Sequence, residues 1–132
     1  YMSFQKFELL DISELIETEE FYLDRAKKLA KEIKDYGFWT VPIAIEVSTK
    51  AIMDGHHRLY ASKLLGLKRV PCVSLSYIHS NVILRSWKNN DNITIEDFFS
   101  VIKNKKKFPA KTTRHIFKPP IQERNIPLDF LY

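Results

Sequence analysis

The feature that most constrains this chain is a short polar turn between two apolar segments. Residues 51–53 (Ala-Ile-Met) are typical of the end of a buried strand, and the helix predicted after the turn ends at Gly66. A glycine lets backbone approach a ligand, and the free N–H groups at the start of a helix favour an anion. With two histidines and an arginine added, the turn predicts a phosphate-binding site: Asp54, Gly55, His56, His57 and Arg58.

Asp54 places an acid at the rim of this site. Such an acid usually binds a metal, holds a basic neighbour in position or accepts a proton. The structural alternative is a cap in which Asp54 pairs with Arg58 and one histidine is simply buried. Four adjacent polar groups at a glycine favour ligand binding over this alternative.

Length and charge narrow the class of partner. The 132 residues predict one domain with its own core, and 45% apolar with 28% charged residues is ordinary for a soluble globular protein. The net charge of +5 indicates an anionic partner, although much of the excess lies in residues 103–107, a run more typical of a solvated face than of a DNA contact. Cys72 cannot form an internal disulfide, and we find neither a long apolar run nor a leader. A cytoplasmic protein without membrane contact is therefore expected.

The predicted elements follow the order strand, helix, hairpin, helix, strand. Apolar periodicity predicts an opening strand and turn, a helix that stops at Gly37, a hairpin and a later strand: residues 7–16, 22–36, 43–53 and 69–77. Pro71 would place its strand at an edge of the sheet or fall among the strand's first residues. This order predicts a small α+β domain.

The acids ahead of the first helix allow two interpretations. Thr18 is a plausible N-cap, and Glu19 and Glu20 would then suit the helix dipole as an acidic first turn. The alternative is that one of them is a catalytic carboxylate.

The C-terminal part concentrates further chemistry. Residues 80–86 are an apolar helix or strand that leads to Trp87, and Thr94 or Asn92 caps a helix over residues 95–102. Prolines predict that residues 108–117 form a loop rather than a long helix. Binding groups often lie on such loops, and this one carries Lys111, Thr112, Thr113, Arg114 and His115.

Taken together, these blocks resemble the ParB/sulfiredoxin fold, and within it the free L-serine kinases. The turn has neither the Arg-rich sequence of ParB nor the turn cysteine of sulfiredoxin. The match continues in the same order at residues 18–21, 38–42, 86–87 and 109–115. The resemblance implies a small mixed sheet with packed helices in a single compact domain, with a core at about 7–78 and a C-terminal helix and substrate-binding loop at about 79–132.

The resemblance also implies a function. The chain would transfer a phosphoryl group from ADP or ATP, with Mg²⁺, to the hydroxyl of free L-serine or a close analogue. Glu19 would accept the hydroxyl proton, and Asp54 would act with Mg²⁺ and the transferring phosphate. The nucleotide phosphates would be bound by Gly55, His56, His57 and Arg58, with His56 also among the catalytic residues. The amino acid would be bound by Trp39, Trp87, Lys111, Thr112, Thr113, Arg114 and His115.

Two departures from the kinases leave alternatives open. Thr18 stands where those kinases have histidine, so the base could be Glu20. Nearly all of the segment that forms their second lobe, between Trp87 and Lys111, is missing, so the chain resembles a shortened form. The alternative function is a ParB-like nucleotide-binding or DNA-binding module without turnover. The lack of a helix-turn-helix segment makes nucleic acid the weaker partner. A homodimer that completes the site is a further alternative.

Overall fold

The computed structural model describes residues 5–87 and 92–132. In chain order the helices are α1 (Leu23–Tyr36), α2 (His56–Leu64) and α3 (Ile95–Lys103). The strands are β1 (Lys6–Asp11), β2 (Phe38–Trp39), β3 (Ile43–Glu46), β4 (Ile52–Asp54), β5 (Arg69–Leu75), β6 (Asn81–Ser86), β7 (Thr113–Lys118) and β8 (Ile126–Pro127). None of the helices within these ranges is long and apolar enough to cross a membrane.

The central sheet has the strand order β1-β5-β3-β4. β3 and β4 form the predicted hairpin, and α2 carries the chain across to β5, which runs parallel to β3. β5 lies inside the sheet, so the suggestion that Pro71 marks an edge strand is wrong. Pro71 is instead the third residue of β5, and the ladder to β3 begins one residue later at Cys72. The missing N–H of the proline therefore costs no bond to β3.

A second hairpin forms the C-terminal half of the fold. β6 and β7 are antiparallel, with Ser86 opposite Thr113. This corrects the prediction of a loop over residues 108–117, because only the first part of that segment is a turn and the rest is β7. The prolines flank the strand, at Pro109 and Pro119, instead of interrupting it. The ambiguous segment at residues 80–86 is a strand for the same reason: β7 pairs with it.

The start of α1 differs from the prediction. The helix begins after Tyr22, and no side chain caps its first turn. Thr18 is not the N-cap: it is fully buried, and its hydroxyl donates to the Ile52 carbonyl oxygen at 2.8 Å. The predicted end is confirmed, since Gly37 follows α1 with φ of +85°.

Both faces of the central sheet are covered. On one face, Ile43, Ile45 and Cys72 pack with residues from α2 and from the C-terminal Leu128 and Leu131. The other face carries Ala44, Met53, Val73 and Leu75, which pack with Phe98 of α3 and with apolar residues of the β6–β7 hairpin. The alternation along β3 and β5 explains this division, because successive side chains point to opposite faces. The C-terminal hairpin and α3 are thereby fixed against the edge that carries the polar turn.

Thr94 caps α3 in the way that the sequence predicted. Its hydroxyl accepts from the Asp97 N–H at 3.1 Å, and the Asp97 carboxylate accepts from the Thr94 N–H at 2.9 Å. This reciprocal pair is a capping box, which satisfies two donors that a helix start otherwise leaves unpaired. Asn92, the other candidate, lies two residues outside it.

We expect Thr94→Ala to lower the free energy of unfolding by about 1 kcal/mol, because the N-cap hydroxyl is lost. Thr94→Ser retains the hydroxyl and should keep nearly the full value. Urea denaturation of the two variants beside the parent protein measures the difference. Equal losses in both would show that the capping box does not stabilise α3.

Candidate active site

A cleft of about 640 Å³ lies where the β4–α2 turn, α1 and the β6–β7 hairpin meet. This volume is suited to a small ligand. All but two of the residues predicted to form a site line it: Glu19, Asp54, Gly55, His56, His57, Arg58, Trp87, Lys111, Thr113, Arg114 and His115. The fold thus brings together groups that are nearly 100 positions apart in the sequence.

Gly55 allows the turn to enter the cleft. Its φ is +125°, a conformation that residues with a side chain rarely adopt. A Cβ atom at this position would lie 3.1 Å from two side-chain carbons of Ile43 and 3.3 Å from the Arg58 Nη1. The turn therefore needs a glycine, and α2 begins directly after it with its free N–H groups at the cleft.

Asp54 and Arg58 form the pair that the structural alternative anticipated. The Arg58 Nη2 lies 3.6 Å from the Asp54 Oδ2, and the Arg58 Nη1 donates to the Pro42 carbonyl oxygen at 3.2 Å. Both side chains nevertheless line the cleft, and that of Asp54 is 59% exposed. Pairing holds Arg58 in place without removing either group from the reach of a ligand.

The two histidines of the turn use their Nε2 atoms to accept backbone hydrogen bonds. His56 Nε2 accepts from the N–H groups of Thr18 at 3.0 Å and Glu19 at 3.2 Å. His57 Nε2 accepts from the Tyr22 N–H at 3.0 Å. An N–H group only donates, so each ring must offer a lone pair at Nε2 and is neutral.

Burial keeps both rings in that form. It lowers the pKa of His56 to about 4, even though Asp54 acts in the opposite direction. Burial also lowers the pKa of His57, with help from Arg25 and Lys111. At neutral pH both histidines therefore line the cleft as uncharged rings.

Glu19 is fixed by the C-terminal hairpin. Its Oε1 accepts from the backbone N–H of Thr113 at 2.8 Å and from the Thr113 hydroxyl at 2.9 Å. Burial raises the pKa of the Glu19 carboxyl, and these hydrogen bonds from Thr113 oppose the rise. A carboxylate with a raised pKa and a fixed position suits general-base chemistry better than the neighbouring Glu20, whose side chain is exposed.

Trp87 carries two cations at the mouth of the cleft. Lys111 Nζ lies 5.0 Å and Arg114 Cζ 5.1 Å from the centre of its ring, and the indole N–H donates to the Thr113 carbonyl oxygen at 2.9 Å. Trp87 is half-exposed, so it does not act as a lid on the core. The arrangement presents a lysine and an arginine that can grip a carboxylate or a phosphate.

His115 lies deeper on the same strand and is supported by a residue that the sequence analysis did not identify. Its Nε2 is 2.7 Å from the Tyr77 hydroxyl. Burial lowers the pKa of His115 to about 4, while the Met53 carbonyl acts in the opposite direction. Burial also raises the pKa of Tyr77 far above its usual range. The pair is therefore neutral.

Two predicted residues lie outside the cleft. Trp39 is 1% exposed in the core and donates its indole N–H to the Val41 carbonyl oxygen at 2.7 Å. A buried core side chain cannot contact a ligand in the cleft, which corrects its assignment to the substrate site. Thr112 does not line the cleft either, and its hydroxyl donates to the Pro109 carbonyl oxygen at 2.6 Å.

One wall of the cleft, formed by α1, was not predicted from the sequence. Arg25, Lys28 and Glu32 line the cleft from the polar face of this helix. Their spacing of three and four residues places them on one stripe, which in the sequence could not be distinguished from a solvated face. The cations of the cleft therefore come from α1 as well as from the turn and the hairpin.

Metal-binding groups are sparse in the cleft. Residues 5–87 and 92–132 contain no group of three or more His, Cys, Asp or Glu side chains arranged to hold a metal ion. Mg²⁺ often binds through one or two carboxylates together with substrate phosphates. Asp54 fits this mode, because it is exposed at the cleft beside the start of α2.

Sequence comparison finds relatives for part of the chain. No protein-family model matches the chain. It is 35% identical over 83 residues to a protein of Staphylothermus marinus named ATP-dependent L-serine kinase, a match that covers 60% of this chain and 33% of the relative. A ParB-like protein of Sulfolobus acidocaldarius is 35% identical over 65 residues, 48% of this chain and 33% of that protein. The chain spans about one third of the length of the curated relatives it matches.

Structural comparison covers the whole chain. A structure of a free serine kinase in complex with AMP superposes with a TM-score of 0.85 over 100% of this chain and 97% of that chain, at 14% identity. The chain has the fold of the free serine kinases. This finding confirms the predicted α+β class and the predicted resemblance to the free serine kinases.

We expect Gly55→Ala to cost at least about 2 kcal/mol of stability, because it combines backbone strain with overpacking against Ile43. Gly66→Ala is the matched control: Gly66 also has a positive φ, of +72°, but a Cβ there would meet nothing within 4 Å. The control should lose about 1 kcal/mol from backbone strain alone. Urea denaturation of both variants separates the two contributions, and equal losses would contradict the close packing at Gly55.

We also expect the free energy of unfolding to fall as the pH decreases from about 6.5 towards 4. His56 and His115 have pKa values of about 4 in the folded chain, whereas the ordinary pKa of a histidine is 6.5. Only the unfolded chain takes up these protons in that window, so the stability from each neutral ring is present above pH 6.5 and is lost below it. Each contributes a slope on the order of 1 kcal/mol per pH unit.

Denaturation curves at a series of pH values measure this slope. His115→Gln should reduce it by roughly half of the contribution from His56 and His115. The same slope in the parent and His115→Gln proteins would show that His115 is not buried in the neutral form.

Proposed function

We propose that this chain is a small-molecule kinase that transfers a phosphoryl group from a nucleotide, ATP or ADP, to the hydroxyl of free L-serine or a close analogue. The observation that carries this proposal is the position of Glu19, a carboxylate with a raised pKa that Thr113 holds in the same cleft as the Asp54-Gly55 turn. The sequence similarity to a protein named ATP-dependent L-serine kinase and the fold similarity to a free serine kinase that binds AMP support it.

In the proposed reaction, the serine Oγ forms a bond to the terminal phosphorus of the nucleotide while the bond to the leaving phosphate breaks. The hydroxyl proton passes to Glu19. A positioned general base contributes roughly 10²–10⁴-fold to such a rate. The products are O-phosphoserine and a nucleotide that is one phosphate shorter.

Phosphoryl transfer also needs charge to be neutralised on the phosphates. The N–H groups at the start of α2 and the Arg58 guanidinium supply this at the turn. Asp54 would hold Mg²⁺ together with the nucleotide phosphates. The metal, when bound, supplies further neutralisation of the phosphate charge.

The other wall of the cleft suits the amino acid. Lys111 and Arg114, held over Trp87, match the carboxylate of serine or the phosphate of the product. His115 lies on the same strand and lines the cleft as a neutral ring. Glu19 is half-buried and fixed by Thr113, whereas Glu20 is exposed, which favours Glu19 as the base.

The alternative is a binding module without turnover, and the similarity to a ParB-like protein supports this alternative. A protein that only binds nucleotide or DNA does not need a half-buried carboxylate held by Thr113. The geometry of the cleft therefore favours the kinase. We further propose that the chain acts in the cytoplasm as a single domain and that a small amino acid, not nucleic acid, is its partner.

Phosphorus NMR tests the activity directly. Purified protein with Mg²⁺ and L-serine should produce the phosphoserine signal with ATP or with ADP. The nucleotide product, ADP or AMP, shows which donor was consumed. Absence of the ester with both donors, in the presence of measured nucleotide binding, would exclude the serine kinase and favour another acceptor or a nucleotide-binding module.

Glu19→Gln should lose turnover by a factor of roughly 10²–10⁴ and retain its affinity for nucleotide, because the general base is removed. The amide oxygen of the glutamine can still accept both hydrogen bonds from Thr113, so the local structure should persist. Glu20→Gln is the matched control and should stay close to the parent rate. If Glu20→Gln is the inactive variant instead, Glu20 is the base.

A further inference from the structure

The turn of the cleft contains a histidine, His56, that hydrogen-bonds to the segment carrying Glu19. His56 is the first residue of α2 and is 8% exposed. Its Nε2 accepts from two consecutive backbone N–H groups, those of Thr18 and Glu19, across 38 and 37 positions of the sequence. The second of these groups belongs to the residue that we propose as the base.

The segment that carries Glu19 has little regular structure to hold it. Residues 16–20 form only isolated bridges, one from Ile16 to Ala51 and one from Glu19 to Phe108. The Thr18 and Glu19 N–H groups both donate to His56, so the imidazole satisfies one buried and one half-buried donor. An unsatisfied buried donor costs about 1–3 kcal/mol. These two hydrogen bonds to His56 therefore stabilise the backbone position of Thr18 and Glu19.

We infer that His56 is a positioning residue: its Nε2 fixes the backbone at Thr18 and Glu19 and thereby sets where the Glu19 carboxylate lies, while the phosphate contacts come from its neighbours. This inference deepens the proposed function and rests on it. Thr113 holds the carboxylate end of Glu19. His56 holds its backbone N–H, beside the backbone bonds of Phe108 to Thr18 and Glu20 on either side. A displacement of about 1 Å at a reacting group can cost on the order of 10²-fold in rate.

The arrangement also joins the two halves of the reaction. Gly55 and the first N–H groups of α2 lie at the proposed phosphate site, and the side chain of the first residue of the same helix holds the base. The donor nucleotide and the base are therefore placed by a single rigid element.

Two substitutions of nearly equal polarity separate these roles. His56→Gln places an amide oxygen near the position of Nε2, where it can accept both N–H groups. His56→Asn keeps the amide but is one methylene shorter and cannot reach them. We expect kcat to fall at least 10-fold in His56→Asn and to stay within about threefold of the parent in His56→Gln. The dissociation constant for nucleotide should change less than twofold in both.

A second substitution tests whether the effect passes through Glu19. In a Glu19→Gln background, His56→Asn should cause no further loss of the residual rate, because the group that it positions is already absent. Replacement of the exposed His79 by Asn controls for the loss of a histidine as such.

Several results would overturn the inference. A 10-fold loss of nucleotide affinity in both variants at unchanged kcat would make His56 a phosphate ligand. A 10-fold loss of kcat in His56→Gln would show that the ring itself is needed, and it decides the question even if His56→Asn fails to fold. Full kcat in His56→Asn would remove the residue from the mechanism.

Amide hydrogen exchange tests the geometry without relying on activity. The Thr18 and Glu19 N–H groups should be protected in the parent protein and in His56→Gln, and should exchange at least 10-fold faster in His56→Asn. If the parent protein phosphorylates nothing, the proposed function fails by itself, and the exchange rates still decide whether His56 holds the segment.

Discussion

The cleft depends on the anchoring of one irregular segment, residues 16–20. This stretch hydrogen-bonds to β4 through Ile16, to α2 through His56 and to the C-terminal part of the chain through Phe108 and Thr113. Each partner lies on a different element, so the segment is the point at which the separate parts of the fold meet. Glu19 owes its half-buried position to this convergence, and its raised pKa follows from that position.

The electrostatics of the cleft follow from burial. The histidines that line it are neutral because the surrounding protein disfavours a charged ring, so positive charge is left to the arginines and lysines at its rim. These cations come from α1, from the turn and from the hairpin. An anionic ligand would therefore meet charge around the cleft and neutral hydrogen-bonding groups deeper inside it.

Much of the fold could be predicted from residue patterns. The polar turn, the helix that stops at Gly37 and the β3–β4 hairpin all have local signals, and the structure confirms them. The elements that were wrongly predicted depend on distant partners. Thr18 is a residue type that often caps helices, but its hydroxyl donates instead to the carbonyl oxygen of Ile52 in β4. The segment after Pro109 becomes a strand only because β6 lies beside it.

The residues of the candidate site also differ in whether the local sequence was enough to predict them. Residue type and spacing indicated binding chemistry at the turn and at the group on the C-terminal hairpin, whereas the choice of Glu19 depended on the family resemblance. They could not exclude Trp39, because a tryptophan beside a loop has the same local pattern whether it faces the core or a ligand. Arg25 and Lys28 were missed for the opposite reason: cations on a helix face carry no signal of what lies opposite.

The chain holds two tryptophans in contrasting surroundings, and this gives it two separate optical reporters. Trp39 is enclosed in the core, where its emission depends on whether the chain is folded. Trp87 is half-exposed between a lysine and an arginine at the cleft, where a bound anion would draw those cations away from the indole. The emission of Trp39 therefore reports on folding, and the emission of Trp87 reports on the surroundings of the cleft. Replacing either tryptophan by phenylalanine leaves the emission of the other to be measured alone.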